Sequence, residues 1–347
     1  MDQRIGFLQA HGARVAYATM GDGPTLVVPP APFGHLDVEL ESEAIQTFFQ
    51  TLAASFTVVR YDRLGTGLSD RSRARETMTL EFEVDVLEAL VVELGAGRVS
   101  LFGSCYGGAV AAAFAARRPE LVKRLLLYGP YAVGSAVLSA SLLQSINSLM
   151  RADWDLGSRL LAMAFVPEAD TELIESFAHL FAESCDGEMA ASLFELAAET
   201  DVRDVLGGIT APTLVLHRAD DKLVPVALGR AVAAFVPGAS FQLLDGVWHP
   251  PWVGDAAGVL HAAGAFLGFS APSHDLSARR ESLRPALTAR ERDVLRLVAE
   301  GLNDAKIAQR LVVSAHTVHR HVANIRARLG QPSRAAAAAH AIRLGLI

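Results

Sequence analysis

Residues 99–108 read Val-Ser-Leu-Phe-Gly-Ser-Cys-Tyr-Gly-Gly, and an alanine-rich segment follows at residues 109–116. The apolar run 99–102 predicts a buried strand, and the alanines predict a helix soon after it. The small residues between the two predict a tight turn. A strand, a tight turn and a helix in this order are typical of a nucleophile elbow, whose strained turn exposes one reactive side chain.

The spacing of the small residues identifies the side chain that this turn exposes. A nucleophile elbow needs small residues two positions before and two positions after the nucleophile. With Cys105 at the centre, these positions hold Gly103 and Gly107. With Ser104 at the centre they would hold large aromatic residues, which the crowded turn would not accept. Cys105 is therefore the expected nucleophile, and cysteine is intrinsically more nucleophilic than serine.

Seven further apolar runs surround this elbow in the sequence. Buried parallel strands read as continuous apolar runs, and most of the segments between these runs are long enough for helices. The chain is therefore expected to form a wound α/β sheet. The runs lie at residues 5–9, 15–19, 26–28, 56–61, 125–128, 213–217 and 241–244.

The strand signal disappears between residues 131 and 205, where the sequence becomes helical and acidic. Residues 153–204 hold 13 Asp and Glu side chains against only Arg159 and Arg203. A helical insertion in an α/β domain predicts a cap over the carboxyl edge of the sheet. Its negative charge is expected to form a solvated face that disfavours anionic ligands.

The 347 residues are 51 % hydrophobic and 20 % charged, which excludes disorder and favours about two domains. Residues 1–269 are expected to form the α/β body, 270–285 a linker rich in Ser, Pro and Ala, and 286–347 a small all-α domain. The charge differs between the body and the tail. Residues 279–347 hold 13 basic and 5 acidic side chains, whereas residues 1–278 hold 18 basic and 33 acidic side chains. The basic tail is expected to bind a polyanion, with a solvated basic surface as the alternative.

The tail has the pattern of short capped helices. Asn303 and Ser314 are expected N-caps. After Ser314, apolar residues at spacings of four, three and four form one helix stripe at Val318, Val322, Ile325 and Leu329. That stripe leaves a donor-rich outer face of a size that the DNA major groove accepts. The outer face comprises His316, His319, Arg320, Ala323 and Asn324.

Residues 287–330 closely resemble the LuxR-type, or GerE-type, helix-turn-helix of bacterial transcription factors. The resemblance covers about 60 residues and implies that 315–329 is the recognition helix on double-stranded DNA. It places His319, Arg320 and Ala323 against base edges, and the last helix in a homodimer contact. The family usually has Lys where His319 stands, which predicts weaker, pH-dependent affinity for phosphates. The residues implied to lie near phosphates are Lys306, Thr317 and His321.

Residues 10–268 resemble the α/β-hydrolase family, with GDGPTLVV at 21–28, VVRYDRLGTGLSD at 58–70, the elbow, TLVLHRADDKLVP at 213–225 and LLDGVWHPPW at 243–252. The resemblance implies that His249 is the catalytic base and Asp221 the acid that orients it. Asp220 is the neighbouring alternative for the acid. Nucleophile, acid and histidine follow one another in the chain order that this fold uses.

The oxyanion hole of this site departs from the family pattern. One expected donor is the backbone N–H of Tyr106, the residue after the nucleophile. The second donor position aligns with Pro32, after Ala31 in place of the usual glycine, and proline has no N–H. Loss of one donor typically costs about 100- to 1000-fold in rate. Phe33 or a side chain could substitute.

Other residues beside the site are candidate pocket walls. Phe33, Trp248 and Trp252 are each expected to be pocket wall or core, and Ser104 lies next to the nucleophile. The expected oxyanion and ligand pocket thus comprises Ala31, Pro32, Phe33, Ser104, Tyr106 and Trp248.

Two functions remain open from the sequence. The first is a transcription factor whose hydrolase-like body senses a neutral or cationic, partly hydrophobic carbonyl compound. The second is a cysteine-dependent esterase or lactonase, using Cys105, His249 and Asp221, that the helix-turn-helix tethers to DNA. Slow acylation of Cys105 would combine the two. The two cysteines have no disulfide or zinc spacing and no segment is apolar enough to span a membrane, so we expect a cytoplasmic protein without metal or cofactor.

Overall fold

The computed structural model describes residues 2–270, 289–311, 313–328 and 333–343. The chain divides into two compact units, Met1–Pro272 and Ser273–Ile347. The expected linker, apart from Ser270, lies outside the described residues, as does Leu329 of the predicted apolar stripe.

The first unit is built on one eight-stranded sheet with the strand order β1-β2-β4-β3-β5-β6-β7-β8. β1 pairs antiparallel with β2 and β2 with β4, and the other neighbours are parallel. All eight strands predicted from apolar runs are confirmed. They are β1 Arg4–Ala10, β2 Ala13–Met20, β3 Thr25–Val28, β4 Thr57–Tyr61, β5 Val99–Ser104, β6 Val122–Tyr128, β7 Thr213–Arg218 and β8 Ser240–Leu244.

Ten α-helices are described in this unit. Apolar side chains of α1 and α10 pack in one core, and those of α2, α3 and α9 pack in another. Both cores include strand residues, so the sheet is buried by helices on its two faces. The helices are α1 Glu43–Ala53, α2 Leu80–Glu93, α3 Tyr106–Arg117, α4 Ala140–Ala152, α5 Trp154–Phe165, α6 Thr171–Ser184, α7 Gly187–Glu199, α8 Arg203–Leu206, α9 Val226–Phe235 and α10 Ala256–Leu267, with short 3-10 helices at Val38–Glu41, Arg75–Thr77, Pro119–Leu121 and Gly134–Ala136.

Helices α4–α7 and all but the last residue of α8 lie in the stretch 131–205, which confirms its predicted helical character, and we call this stretch the cap. Part of its acidity has a local structural cause. The carboxylates of Asp153, Asp170 and Asp186 accept hydrogen bonds from backbone N–H groups at the starts of α5, α6 and α7. Such caps satisfy N–H groups that a helix leaves without partners.

The second unit contains four described helices, α11 Ala289–Ala299, α12 Asp304–Leu311, α13 Ala315–Arg328 and α14 Arg334–Arg343. The expected N-caps are both present: Asn303 Oδ1 accepts from Lys306 N at 3.0 Å, and Ser314 Oγ accepts from Thr317 N at 3.0 Å. One small core joins the four helices. It includes Val294, Leu295, Ile307, Val318, Ile325, Ala337 and Ala341.

Candidate functional site

Cys105 occupies the turn between β5 and α3 with φ 52° and ψ −126°. A positive φ is uncommon for any residue other than glycine and carries a conformational cost. The Cys105 N–H donates to the Tyr128 carbonyl of the neighbouring strand at 3.1 Å, which ties the strained residue to the sheet. The side chain is 7 % exposed. Cys105, and not Ser104, thus sits in the strained position of the elbow.

Backbone packing explains why this turn requires glycine at both flanks. A Cβ on Gly103 would lie 2.7 Å from the Gly107 carbonyl oxygen. A Cβ on Gly107 would lie 2.5 Å from the carbonyl oxygen of Pro29, in the loop after β3. Both distances are below any van der Waals contact, and both carbonyl oxygens are backbone atoms that cannot rotate away.

His249 and Asp221 form a buried pair. Nδ1 of His249 lies 2.7 Å from Oδ2 of Asp221. The other carboxylate oxygen accepts backbone hydrogen bonds from Leu223 at 2.9 Å and Val224 at 3.0 Å, so the carboxylate is held by three donors. Asp220 is exposed instead. The structure therefore places Asp221, and not the alternative Asp220, against the histidine.

Charge governs the protonation of this pair. Burial by itself lowers the pKa of His249, but the negative charges of Cys105 and Asp221 outweigh it and raise that pKa to about 10. Burial by itself raises the pKa of Asp221, but the charge and hydrogen bond of His249 leave it below its usual value. The His249 Nε2 atom is buried and has no hydrogen-bond partner within the described residues. The raised pKa favours a protonated imidazole beside the Asp221 carboxylate.

A second histidine next to this carboxylate was missed by sequence reasoning. His217 Nε2 lies 3.7 Å from Oδ2 of Asp221 and 2.8 Å from the Val224 carbonyl oxygen. Burial lowers the pKa of His217, which favours its neutral form. The available signal was the four-residue spacing between His217 and Asp221 at the end of β7.

Two cavities meet at Cys105. The first has a volume of about 60 Å³ and the second a volume of about 50 Å³. Phe165 of the cap also lines both. The first cavity is walled by aromatic rings together with the charged pair Glu39 and Arg60, whereas the second is walled by apolar side chains such as Val137 and Leu138.

Most of the expected pocket residues line these cavities. Ala31, Phe33 and Ser104 line the first, and Pro32 lines the second. The Tyr106 ring is fully buried, 4.5 Å from the Arg63 guanidinium, so only its backbone can serve the site. As the first residue of α3, Tyr106 has no partner for its N–H within the helix.

Trp248 is a correction to the expected pocket. Its Nε1 donates to the Pro167 carbonyl at 2.7 Å, and its own carbonyl accepts from Arg218 at 2.9 Å. These contacts hold the residue against the cap, so it is absent from the walls of both cavities. Trp252, four residues later, lines the first cavity instead. Glu39 and Arg60 were not expected there, because the local sequence does not show which charged side chains face a cavity.

The second oxyanion donor depends on the loop after β3. Pro32 lines the second cavity and has no N–H to donate. The N–H of Phe33 donates no hydrogen bond to any other described residue. Phe33 therefore remains the backbone candidate for this position.

The expected DNA-reading face is exposed on α13. His319, Arg320, Ala323 and Asn324 are exposed, whereas Thr317 and His321 are half-buried. Lys306 is exposed on α12, and the side chain of His316 lies outside the described residues. His319 Nδ1 lies 3.6 Å from Oδ2 of Asp304.

Two absences hold for the described part of the chain. No helix there is both long and apolar enough to cross a membrane. Nor does any group of three or more His, Cys, Asp or Glu side chains in those ranges form a metal-binding cluster.

Two families match the chain. Residues 40–254 match "Serine aminopeptidase, S33", and residues 285–341 match "Bacterial regulatory proteins, luxR family". A pyrrolizixenacetamide deacetylase of Xenorhabdus hominickii is 27 % identical over 67 % of this chain and 86 % of its own. A putative HTH-type transcriptional regulator of Mycobacterium tuberculosis is 49 % identical over 19 % of this chain and 8 % of its own.

The fold also matches solved structures. An enol-lactonase from Burkholderia xenovorans LB400 superposes with a TM-score of 0.64 at 23 % identity, over 76 % of this chain and 100 % of its own. At that identity the likeness establishes the α/β-hydrolase fold and nothing further.

Proposed function

Because the chain belongs to the α/β-hydrolase family described as "Serine aminopeptidase, S33" and also carries a luxR-family helix-turn-helix, we propose that it is a transcriptional regulator that captures a carbonyl compound at Cys105. In this proposal the hydrolase domain is the sensor and the helix-turn-helix is the output. The protein acts as a homodimer on double-stranded DNA, and therefore in the cytoplasm.

The observation that carries the proposal is the position of Cys105. It lies in a strained turn at the start of a helix, it lines two cavities, and the charged pair His249 and Asp221 lines or adjoins the same space. A helix N-terminus and a nearby imidazolium both stabilise a thiolate. A thiolate between two cavities suits a ligand with substituents on both sides of a carbonyl group.

The proposed step is acyl transfer to sulfur. The Cys105 thiolate attacks the carbonyl carbon of an ester or lactone, the C–S bond forms, and the C–O bond to the leaving oxygen breaks. His249 gives its proton to that leaving oxygen, while Asp221 keeps the imidazole in its orientation. The products are a thioester on Cys105 and an alcohol, which stays attached to the acyl group when the ligand is a lactone.

The loop after β3 favours capture over rapid turnover. Hydrolysis of the thioester passes through a second oxyanion, and Pro32 offers no N–H to stabilise it. The acyl group would then stay on Cys105 long enough to act as a signal. The names of two similar proteins, a deacetylase and an enol-lactonase, both describe chemistry at a carbonyl carbon, which supports this ligand class.

A second candidate function is a cysteine-dependent esterase or lactonase tethered to DNA. The complete set of Cys105, His249 and Asp221 favours it, because turnover needs those three groups. In this case Phe33 or a side chain would supply the missing oxyanion donor.

Intact-mass measurement on the full chain separates these functions. The protein is mixed with p-nitrophenyl acetate, phenyl acetate and dihydrocoumarin, and both the protein mass and the released product are followed. Cys105→Ala is the test variant. Cys185→Ala is its matched control, because burial raises the pKa of Cys185 to about 12 and leaves it unreactive.

We expect an acyl adduct of one equivalent on the wild type and on Cys185→Ala, and none on Cys105→Ala. Many equivalents of product, lost only in Cys105→Ala, would identify the tethered enzyme instead. Neither adduct nor product from any of the three compounds would overturn covalent capture.

A further inference from the structure

An ion pair between a buried arginine and a half-buried glutamate lines the first cavity. Arg60, at the end of β4, is 5 % exposed, and its Nη1 donates to Oε2 of Glu39. Its other terminal nitrogen, Nη2, donates to Oε1 of Gln3. The guanidinium carbon lies 4.5 Å from the centroid of the Phe49 ring. The arginine is therefore fixed in one position by three different side chains.

Packing alone gives no reason for this pair. Removing two charges from water is costly, and apolar residues of similar size are often as stable or more stable in their place. The walls around the pair are otherwise dominated by rings and prolines, which would accept apolar neighbours. Burial raises the pKa of Glu39, and the neighbouring Arg60 offsets this only in part. Charged groups kept at a cavity wall at such a cost indicate a role in recognition.

Trp252 supplies a second, independent observation. Its Nε1 is buried without a hydrogen-bond partner among the described residues, although the indole lines the first cavity. A buried indole N–H normally finds an acceptor. Trp248 illustrates the normal case, because its Nε1 donates to the Pro167 carbonyl. The N–H of Trp252 is therefore left for an acceptor other than the described residues.

The Phe49 ring places these groups at the same end of the cavity. It lies 4.5 Å from the Arg60 guanidinium carbon and 5.9 Å, centroid to centroid, from the ring of Trp252. Arg60, its partner Glu39 and Trp252 are therefore joined through one ring at the wall of the first cavity.

We propose that the first cavity binds a flat, largely apolar carbonyl compound with a neutral hydroxyl group at the end remote from the carbonyl, and that Glu39, Arg60 and Trp252 bind this hydroxyl. A hydroxyl donates one hydrogen bond and accepts others, which matches a carboxylate beside N–H donors. A ligand carboxylate would be repelled by Glu39, and a ligand ammonium by Arg60. This inference rests on the proposed function only in placing the ligand carbonyl at Cys105.

Protection of Cys105 from alkylation tests this without requiring acyl transfer. The full chain is treated with iodoacetamide in the presence of methyl 3-(4-hydroxyphenyl)propanoate or methyl 3-phenylpropanoate, and Cys105 alkylation is read by peptide mass. We expect the hydroxylated ester to protect half of the Cys105 at a concentration at least about tenfold lower than the ester without the hydroxyl. A hydrogen bond to a charged group typically raises affinity by about that factor. Equal half-protection by the two esters would overturn the inference.

Three variants locate the effect. Glu39→Leu combined with Arg60→Met replaces the ion pair by apolar residues, which avoids leaving one buried charge alone, and we expect it to abolish the preference for the hydroxylated ester. Trp252→Phe should reduce the preference severalfold. Trp248→Phe, whose N–H is already bonded to the protein, is the matched control and should keep it.

The outcomes also separate this inference from the capture proposal. A preference for the hydroxylated ester without any acyl adduct would support the hydroxyl site and contradict covalent capture. An acyl adduct on Cys105 with no preference between the two esters would do the reverse. A preference that survives in the double variant would overturn the assignment to Glu39 and Arg60.

Discussion

The imidazole Nδ1 of His249 lies 2.7 Å from Oδ2 of Asp221, although 28 residues separate the two in sequence. Asp221 follows β7 and His249 follows β8, two strands that are parallel neighbours in the sheet. Because parallel neighbours end at the same edge, the topology itself brings the acid to the base. The same edge carries Cys105, at the end of β5.

This relationship predicts how the stability of the protein depends on pH. The pKa of His249 is raised from 6.5 to about 10 in the folded chain, so the folded state binds the proton more tightly than the unfolded state. The stabilisation is fully present below about pH 6.5 and is lost as the pH rises to about 10. We expect the stability advantage of the wild type over His249→Gln to fall across that window, as measured by thermal unfolding.

Cys105→Ala provides the control for that experiment. The electrostatic effect of Cys105 is the largest of those that raise the pKa of His249, so removing it should lower the pH at which the loss is complete. If the stability of the wild type and of His249→Gln changed with pH in parallel, the assigned protonation of His249 would be contradicted.

Pro32→Ala should convert slow capture into faster turnover. The substitution restores an N–H at the second oxyanion position, and one such donor typically contributes about 100-fold or more in rate. The measurement is the hydrolysis rate of the thioester on Cys105, followed by the loss of adduct mass. Pro30→Ala, in the same loop and at the wall of the first cavity, is the matched control and should leave that rate unchanged. A similar rate in all three proteins would show that the loop supplies no donor at this position.

Gly107→Ala should destabilise the elbow. The added Cβ would lie 2.5 Å from the Pro29 carbonyl oxygen, and overpacking of this kind typically costs about 1–3 kcal/mol. Urea unfolding followed by tryptophan fluorescence measures it, since all three tryptophans lie in the first unit. Gly207→Ala is the control, because its Cβ would meet no atom within 4 Å. Equal midpoints for the two variants would refute the steric account.

Two basic residues of the second unit should affect DNA binding in different ways. Arg320→Ala should weaken binding by about 1–3 kcal/mol and relax the sequence preference, because it removes a contact to a base. Lys306→Ala should weaken binding to all DNA sequences alike and reduce the slope of log affinity against log salt concentration by about one. Binding to DNA duplexes selected in vitro from a random pool measures both. Arg296→Ala, on α11 beside Asp293, is the control, and indistinguishable behaviour of the three variants would remove the assignment of α13 as the reading helix.

Local sequence rules were sufficient for the fold. The inner strands are mostly apolar because helices cover both faces of the sheet there, whereas the edge strands β1 and β8 are partly exposed. The glycine spacing on either side of Cys105 placed this residue in the elbow. Helix caps were readable for the same reason, since the side chains of Asn303 and Ser314 accept hydrogen bonds from backbone N–H groups three positions later. These features depend on neighbours in the chain.

Cavity walls could not be predicted in this way. Trp248 and Trp252 look equivalent in sequence, and the difference between them depends on the Pro167 carbonyl, 81 residues away from Trp248. Arg60 and Glu39 form their pair across 21 residues and two different elements. Such long-range contacts decide which side chain faces a cavity, and local sequence patterns do not show them.

Occupancy of Cys105 is expected to alter DNA binding, and one measurement tests this directly. The affinity of the full chain for an in-vitro-selected duplex is determined before and after complete acylation of Cys105 by p-nitrophenyl acetate, with Cys105→Ala treated identically. We expect the affinity of the wild type to change at least about fivefold, as is typical of coupling between two sites, and that of Cys105→Ala to stay constant. An unchanged affinity on fully acylated wild type would contradict the claim that this site is the sensor.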